Sequence, residues 1–444
     1  MKRAIDSLYL TNRAFYAGWG LVVLFLLAQA FPVLLGIARA AFTLLLFALL
    51  ADLFVLYRIR EGIRAKRTTW EKWSNGDENP VTMTVENRYP IKVMVRVIDE
   101  LPEQFQRRDL SFSRMLAAGA TEQLPYAVRP VVRGVYRYGA INVFVRTMLG
   151  LVERRYSCEA EREVAVYPSY IHLRRYELMA ISDRLVMAGR KKVRRIAQQV
   201  EFDRIKEYVA GDDRRTVNQK ATARRGRLMV NQYQDEKAQQ VYALIDAGRT
   251  MKMPFQGMSL LDYAINAALA ISDVAMRKDD RAGLIVFSDR VHAHVAAARE
   301  RGHMNKVLEV LYGLRTDHAE SDLEHLYVGV KRNIPQRSLL LLFTNFESVN
   351  GLQRQLPRIQ ALAATHLVVV IFFLNTTLEE DLRKPVSDTA EVYTRTITER
   401  YLHEKRQVVV ELERRGIASI LSRPEDLSIN VINKYLEIKA RSRL

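Results

Sequence analysis

QQVYALIDAGRT (residues 239–250), RSLLLLFTN (337–345) and LVVVIFFL (367–374) are the stretches that decide the fold. Each has an uninterrupted apolar core with no polar alternation. A strand reads that way when both of its faces are covered. Between them stand segments with apolar residues at helical spacing: SLLDYAINAALAISDVAM (259–276), MNKVLEVLYGL (304–314), DLEHLYVGVKRNI (322–334) and LQRQLPRIQALAATH (352–366). AGLIVFSDRVHAHVAA (282–297) reads as two strands around a Ser-Asp turn. A long helical region over 388–415, a strand IASIL (417–421) and a last helix over 426–444 complete the alternation. The pattern predicts an α/β domain over 236–444, built on a doubly wound, mostly parallel sheet.

In such sheets ligands sit at the carboxyl ends of the strands. The first strand ends in Asp246, Ala247, Gly248, Arg249 and Thr250. Ser321 and Asp322 precede the helix DLEHL, and Thr344 and Asn345 follow LLLLF. Together these loops offer the carboxylate, hydroxyl and amide oxygens that suit a hard cation. The arrangement resembles the metal-ion-dependent adhesion site of von Willebrand factor A domains. That family carries Asp-x-Ser-x-Ser on the first loop, Thr on the second and Asp on the third. Asp246 matches the family aspartate, and Thr250 and Ser321 keep hydroxyls. Gly248 lacks the first hydroxyl, and Asn345 replaces the third-loop carboxylate. The expectation is a degenerate metal or docking site made of Asp246, Thr250, Ser321 and Asn345. Its loops serve protein docking without a metal, or hold Mg²⁺ weakly.

Working outward, residues 14–38 carry no charge, and residues 40–57 are apolar apart from Asp52. About 20 helical residues cross a hydrocarbon core of roughly 30 Å, so both runs are long enough. Lys2, Arg3 and Arg13 precede the first run. Arg58, Arg60, Arg64, Lys66 and Arg67 follow the second, and Arg39 alone lies between. The positive-inside rule then predicts a two-pass hairpin over 1–67 with cytoplasmic flanks. Trp19 and Tyr57 are expected near the interfaces, and Asp52 within reach of headgroups. A cleaved signal peptide is disfavoured, because the first run is too long and a second follows at once.

Residues 78–170 change texture. VTMTVENRYP, IKVMVRVIDELP and EREVAVYP alternate apolar and polar residues between Asn, Pro and Asp, which is strand-and-turn chemistry. A β-sandwich-like module without a catalytic grouping is expected there. Residues 171–235 form a basic linker with clusters at Arg190, Lys191, Lys192, Arg194 and Arg195, and at Arg214, Arg215, Lys220, Arg224, Arg225 and Arg227. The whole chain has a net charge of +18. Beside a bilayer this favours anionic lipid or an acidic protein. No nucleic-acid motif accompanies the charge, so nucleic acid is the least favoured partner.

EYVAGDDRRTVNQKATARRGRLMVNQYQDEKAQQVYALIDAGRTM (207–251) is the most specific segment. It resembles family fifty-eight of the bacterial domains of unknown function. That family pairs a Tyr-x-x-Gly-Asp-x-x-Arg-x-(Ile/Val)-(Asp/Asn)-Trp-Lys-x-(Ser/Thr)-Ala-Arg signature with a von Willebrand A-like strand ending in Asp. The matches are Tyr208, Gly211, Asp212, Arg215, Val217, Asn218, Lys220, Thr222, Ala223 and Arg224, with Gln219 at the Trp position. The usual Asp-Pro before a Phe-Gly-Leu turn reads here as the run from Arg146 through Thr147, Met148, Leu149 and Gly150 to Leu151. The resemblance implies a bacterial inner-membrane adaptor with both termini in the cytoplasm. It also implies a MoxR-type AAA ATPase as partner, other envelope proteins nearby, and a setting in envelope biogenesis or stress tolerance.

Enzymatic chemistry is not expected. None of the eight histidines falls in an H-E-x-x-H motif, and no G-x-x-x-x-G-K phosphate loop is present. His292 and His294, at alternate strand positions, read as a solvated edge, and the lone Cys158 reads as structural.

Overall fold

The structure, a computed structural model, describes residues 7–107, 110–159, 161–169, 200–209, 216–235, 238–316, 318–374, 382 and 388–441. The chain divides into two compact units, Met1–Tyr167 and Pro168–Leu444.

The first unit opens with a short strand, β1 (Leu8–Leu10), and two helices, α1 (Asn12–Ala30) and α2 (Leu34–Arg58). Both helices are long and apolar enough to cross a membrane, and they leave most of their apolar surface uncovered. Ten strands follow: β2 (Ile63–Thr69), β3 (Lys72–Ser74), β4 (Asn79–Asn87), β5 (Val93–Asp99), β6 (Ser111–Leu116), β7 (Thr121–Val128), β8 (Gly134–Tyr138), β9 (Ile141–Arg146), β10 (Val152–Cys158) and β11 (Arg162–Tyr167). They form sheets in the orders β1-β10-β9-β5-β6, β2-β4-β7 and β3-β11-β8. Ile63, Ala65, Met83 and Val85 pack against Val93, Val95, Val143 and Val145 in one core. Trp73, Val81, Tyr136, Tyr138 and Val166 fill a second.

Two expectations need correction here. The β fold begins at Ile63 rather than near residue 78, because β2 pairs antiparallel with β4 along its whole length. IRAKRTT alternates buried and exposed residues, but its exposed Arg64 and Lys66 made it look like a charged flank. Arg67, counted among the flank charges, is fully buried in an ion pair with Asp99. Asp52 does not reach outward either. It is 1% exposed and accepts the Thr147 hydroxyl and the backbone N–H groups of Leu151 (3.0 Å) and Val152 (2.9 Å).

The second unit begins, within the described residues, with a hairpin of β12 (Val200–Glu207) and β13 (Met229–Asp235) that encloses α3 (Gln219–Arg225). The α/β domain then runs β14 (Gln240–Asp246), a small hairpin of β15 (Pro254–Phe255) and β16 (Met258–Ser259), α4 (Leu260–Arg277), β17 (Arg281–Phe287), β18 (Val291–Ala298), α5 (His303–Gly313) and α6 (Leu323–Asn333). It continues through β19 (Leu339–Phe343), α7 (Val349–Thr365), β20 (Leu367–Phe373), α8 (Thr389–Arg414), β21 (Ala418–Ser422) and α9 (Leu427–Ala440). The sheet order is β18-β17-β14-β19-β20-β21. Only the edge strand β18 runs antiparallel.

Alternate residues of β14 face opposite layers, as the pleat requires. Val241, Ala243 and Ile245 meet α4, α5 and α9, whereas Tyr242 and Leu244 meet α6, α7 and α8. This double coverage is why the strands read as continuous apolar runs. The chain leaves β14 toward β17 on one side and later returns to β19 on the other. The carboxyl ends of β14 and β19 therefore flank the point where strand order reverses, the place where such sheets bind ligands.

Candidate functional site

Asp246 ends β14, buried at 1% exposure. Its Oδ1 accepts the Ser321 hydroxyl at 2.6 Å and the Gly248 N–H at 2.8 Å. Its Oδ2 accepts the Thr344 hydroxyl at 2.6 Å. Burial pushes the carboxyl above its ordinary range, and these hydrogen bonds pull it back. Three loops distant in sequence are thus tied to one carboxylate. Thr316 adds a fourth tie, donating to the Ala247 carbonyl at 2.7 Å.

Gly248 has ordinary extended backbone, so its torsions do not demand glycine. Space does. A Cβ there would stand 2.0 Å from the Ser321 hydroxyl and 2.9 Å from the Ala319 carbonyl. The departure from Asp-x-Ser-x-Ser is therefore built into the packing, since Ser321 fills the room a side chain at 248 would take.

Asn345, after β19, donates to the Thr250 carbonyl at 3.2 Å and accepts from Lys405 of α8. Lys405 is completely buried. Its ammonium lies 5.4 Å from the Tyr401 ring centroid and 5.9 Å from that of Phe372. Burial lowers its pKa to about 7, against the pull of Glu347. Desolvation and Glu347 push the Tyr401 hydroxyl up to about 12.

These loops open into a cleft of about 130 Å³. Its rim carries Arg249, Thr250, Glu320, Glu347 and Arg354, and its floor is Asp246 and Thr344. The four predicted site residues, Asp246, Thr250, Ser321 and Asn345, all line it. Thr250 contributes its carbonyl to Asn345, and Asp246 takes its third-loop hydroxyl from Thr344.

A hard dication needs several anionic or carbonyl oxygens free to turn toward it. Here the lone carboxylate of the knot is held by three donors, and the third-loop oxygen holds an ammonium. Among the described residues no group of three or more His, Cys, Asp or Glu side chains is placed to hold a metal. The residues present do not fit Mg²⁺.

Among the described residues, Ser288 and His292 are the nearest approach to a catalytic pair, at 2.6 Å. Ser288 is buried, and its single proton goes to Asp289 Oδ1 at 2.7 Å. The imidazole must then donate to Ser288 rather than act as its base.

Part of the family signature is also in view. Asn218 caps α3, accepting from Ala221 N–H at 3.0 Å and donating to Asn231 Oδ1 at 2.8 Å. Thr222 Oγ1 accepts the Met229 N–H at 3.0 Å. The Tyr208 N–H donates to the Leu228 carbonyl at 2.9 Å. The Asn218 and Thr222 bonds tie α3 to the hairpin, and the Tyr208 bond continues the pairing of β12 with β13. Lys220 and Arg224, one helical turn apart, are exposed on α3. Gly211, Asp212 and Arg215 lie outside the described residues, as do Arg190, Lys191, Lys192, Arg194 and Arg195 of the basic linker.

Thr344, Thr316 and Lys405 were not singled out as site residues from the sequence. Thr344 had a signal, because it directly follows a buried strand. Lys405 had none, since HEKRQ reads as a solvated helical face.

The family described as "Protein of unknown function DUF58" matches residues 204–397. The uncharacterized protein YeaD of Bacillus subtilis (strain 168) is 25% identical over 241 residues, a match spanning 52% of this chain and 60% of YeaD. Among solved structures, the CARDB domain of the PF1109 protein from Pyrococcus furiosus is similar over 23% of this chain and 91% of its own, with 16% identity and a TM-score of 0.17. A β-glucosidase from Listeria innocua is similar over 23% of this chain and 16% of its own, with 17% identity and a TM-score of 0.16. Likeness at that level bears on neither fold nor function. The span that matches the DUF58 family model, 204–397, runs from β12 through β14 and the Asp246 loops into α8.

Proposed function

We propose that this chain is a membrane-anchored adaptor whose C-terminal unit is a von Willebrand A-like docking domain. On this reading α1 and α2 form a two-pass anchor in a bacterial inner membrane, with the β module of the first unit and the second unit in the cytoplasm. The sheet order, the antiparallel edge strand and the position of Asp246 support the A-like assignment. The observation that carries the docking reading is the Asp246 knot. Three loops are fixed around one carboxylate, so the rim above them is preorganised without a metal. Arg249 and Arg354 give that rim two exposed cationic side chains. They suit a carboxylate on a protein partner. A MoxR-type AAA ATPase is the partner this reading favours, in envelope-related or stress-related work. Binding rather than catalysis is the role this reading gives the domain.

The test is a pull-down of the detergent-solubilised full chain followed by mass spectrometry. The comparison variant carries Arg249→Glu and Arg354→Glu, which leave the Asp246 knot untouched. Recovery of an AAA ATPase by the unmodified chain, with loss in the variant, supports the rim as the docking face. Equal recovery moves the contact elsewhere, with Lys220 and Arg224 the next residues to reverse. Absence of an ATPase from both overturns the adaptor reading.

A further inference from the structure

The turn between β9 and β10 exposes two large apolar side chains, Met148 at 62% and Leu149 at 55%. It is fastened to both helices. Asp52 of α2 accepts from Thr147, Leu151 and Val152 on the two arms of the turn. Thr11, which precedes α1, donates its hydroxyl to the Gly150 carbonyl at 2.6 Å and its N–H to Leu151 at 3.1 Å. Arg13 lies along the turn, its guanidinium 3.5 Å from the Leu149 carbonyl. β1 extends the same sheet by pairing with β10. Farther along, Arg154 donates to the Leu56, Ile59 and Arg60 carbonyls, and Tyr89 to the Leu56 carbonyl, closing the end of α2.

These contacts set the height of the turn. The part of α2 before Asp52 begins at Leu34 and, at about 1.5 Å per residue, spans roughly 27 Å, close to a hydrocarbon core. Asp52 then stands at the inner boundary, and the rest of α2 continues about 9 Å beyond it. The turn docked on Asp52 shares that level. Around it Leu10 and Phe15 are also more than half exposed, so the apolar surface of the helices continues onto the tip.

We propose that Met148 and Leu149 form a wedge that enters the headgroup–acyl boundary of the bilayer beside α1 and α2, holding the β module against the membrane at a fixed height. This rests on the reading that the two helices cross a bilayer. Apolar side chains exposed at that level gain from entering lipid, as an interfacial helix does. The Asp52 clasp keeps them from swinging away.

The experiment uses the full chain with Cys158→Ser and Leu149→Cys, labelled with the environment-sensitive dye NBD. It is reconstituted into phosphatidylcholine–phosphatidylglycerol vesicles with or without brominated acyl chains. Trp19, read as the difference between this protein and its Trp19→Phe variant, reports on α1 in the same sample. If the wedge is inserted, the dye emits to the blue and loses about half its intensity to brominated lipid, as a probe buried ~5–10 Å deep would. Trp19 is quenched as well. A water-like dye signal with Trp19 quenched overturns the wedge and leaves the membrane reading standing. If neither is quenched, the membrane reading fails and the wedge fails with it.

Discussion

Asp52 in the first unit and Asp246 in the second are both 1% exposed, and each accepts three hydrogen bonds. Their donors differ. Those of Asp52 all come from one turn, two of them backbone N–H groups. Those of Asp246 come from three loops, two of them hydroxyls. The Asp52 arrangement is closed and joins a helix to a hairpin. Asp246 floors an open cleft, with Asn345 beside it holding a buried ammonium. A saturated buried carboxylate is thus a fastening in either place. What sets the second apart is the cleft, the charged rim and Lys405.

Lys405 is the sharpest difference between the two sites and gives the largest expected effect. Its folded pKa, about 7, lies below its unfolded value. The unfolded chain therefore holds more protons between the two values, and stability rises with pH across that window. The penalty for burying the charge is fully present below pH 7 and is relieved as pH climbs toward about 10. Lys405→Met removes it, and the variant should exceed the unmodified chain by up to about 5 kcal/mol at low pH, with the gap closing as pH rises. Thermal unfolding of both proteins in detergent at several pH values measures this. Parallel curves would mean that Lys405 is not buried as described.

The aspartates themselves come next. Asp52→Ala and Asp246→Ala each leave three donors without an acceptor, a loss of about 3 kcal/mol in either unit. Amide hydrogen exchange tells them apart. Asp52→Ala should speed exchange at Leu151 and Val152 about 100-fold, and Asp246→Ala should do the same at Gly248. The comparison breaks if either variant leaves its own amides protected.

Gly248→Ser has a smaller expected effect, about 2 kcal/mol, because the new Cβ meets Ser321 Oγ. Adding Ser321→Ala should return part of it by clearing that atom, read as a partial recovery of Tm. If Gly248→Ser is neutral alone, the loops give way more readily than the knot implies.

The legibility of the two sites in the sequence differed for a physical reason. The doubly wound sheet was readable because full coverage of β14, β19 and β20 erases alternation, and strand ends point to the crevice by topology alone. Asp246, Ser321 and Asn345 followed from that rule. The Asp52 clasp did not, because its donors lie about a hundred residues along the chain and two of them are main-chain atoms. No side-chain pattern records such a contact. Arg64 and Lys66 hid strand β2 because they sit on its exposed face, where strand and flank look alike. Lys405 escaped notice because a buried lysine inside a charged helix has the same letters as a solvated one.

The smallest expected effect is the response to Mg²⁺. If the knot works without metal, millimolar Mg²⁺ should move the Tm of the unmodified chain by less than about 1 °C, since a ligand well below its Kd adds almost nothing through mass action. Two of the obstacles are the ammonium on Asn345 and the missing third-loop charge, the three donors on Asp246 being the other. Asn345→Asp combined with Lys405→Met removes both and leaves Asp246, Ser321 and Thr344 in place. That variant should gain a Mg²⁺-dependent rise of a few degrees, on the order of 1 kcal/mol at a concentration several times its Kd. Asn345→Asp alone should gain less, because Lys405 would pair with the new carboxylate and compete with the dication. A Mg²⁺ response already present in the unmodified chain would place Asp246 with the metal-holding aspartates and end its likeness to Asp52.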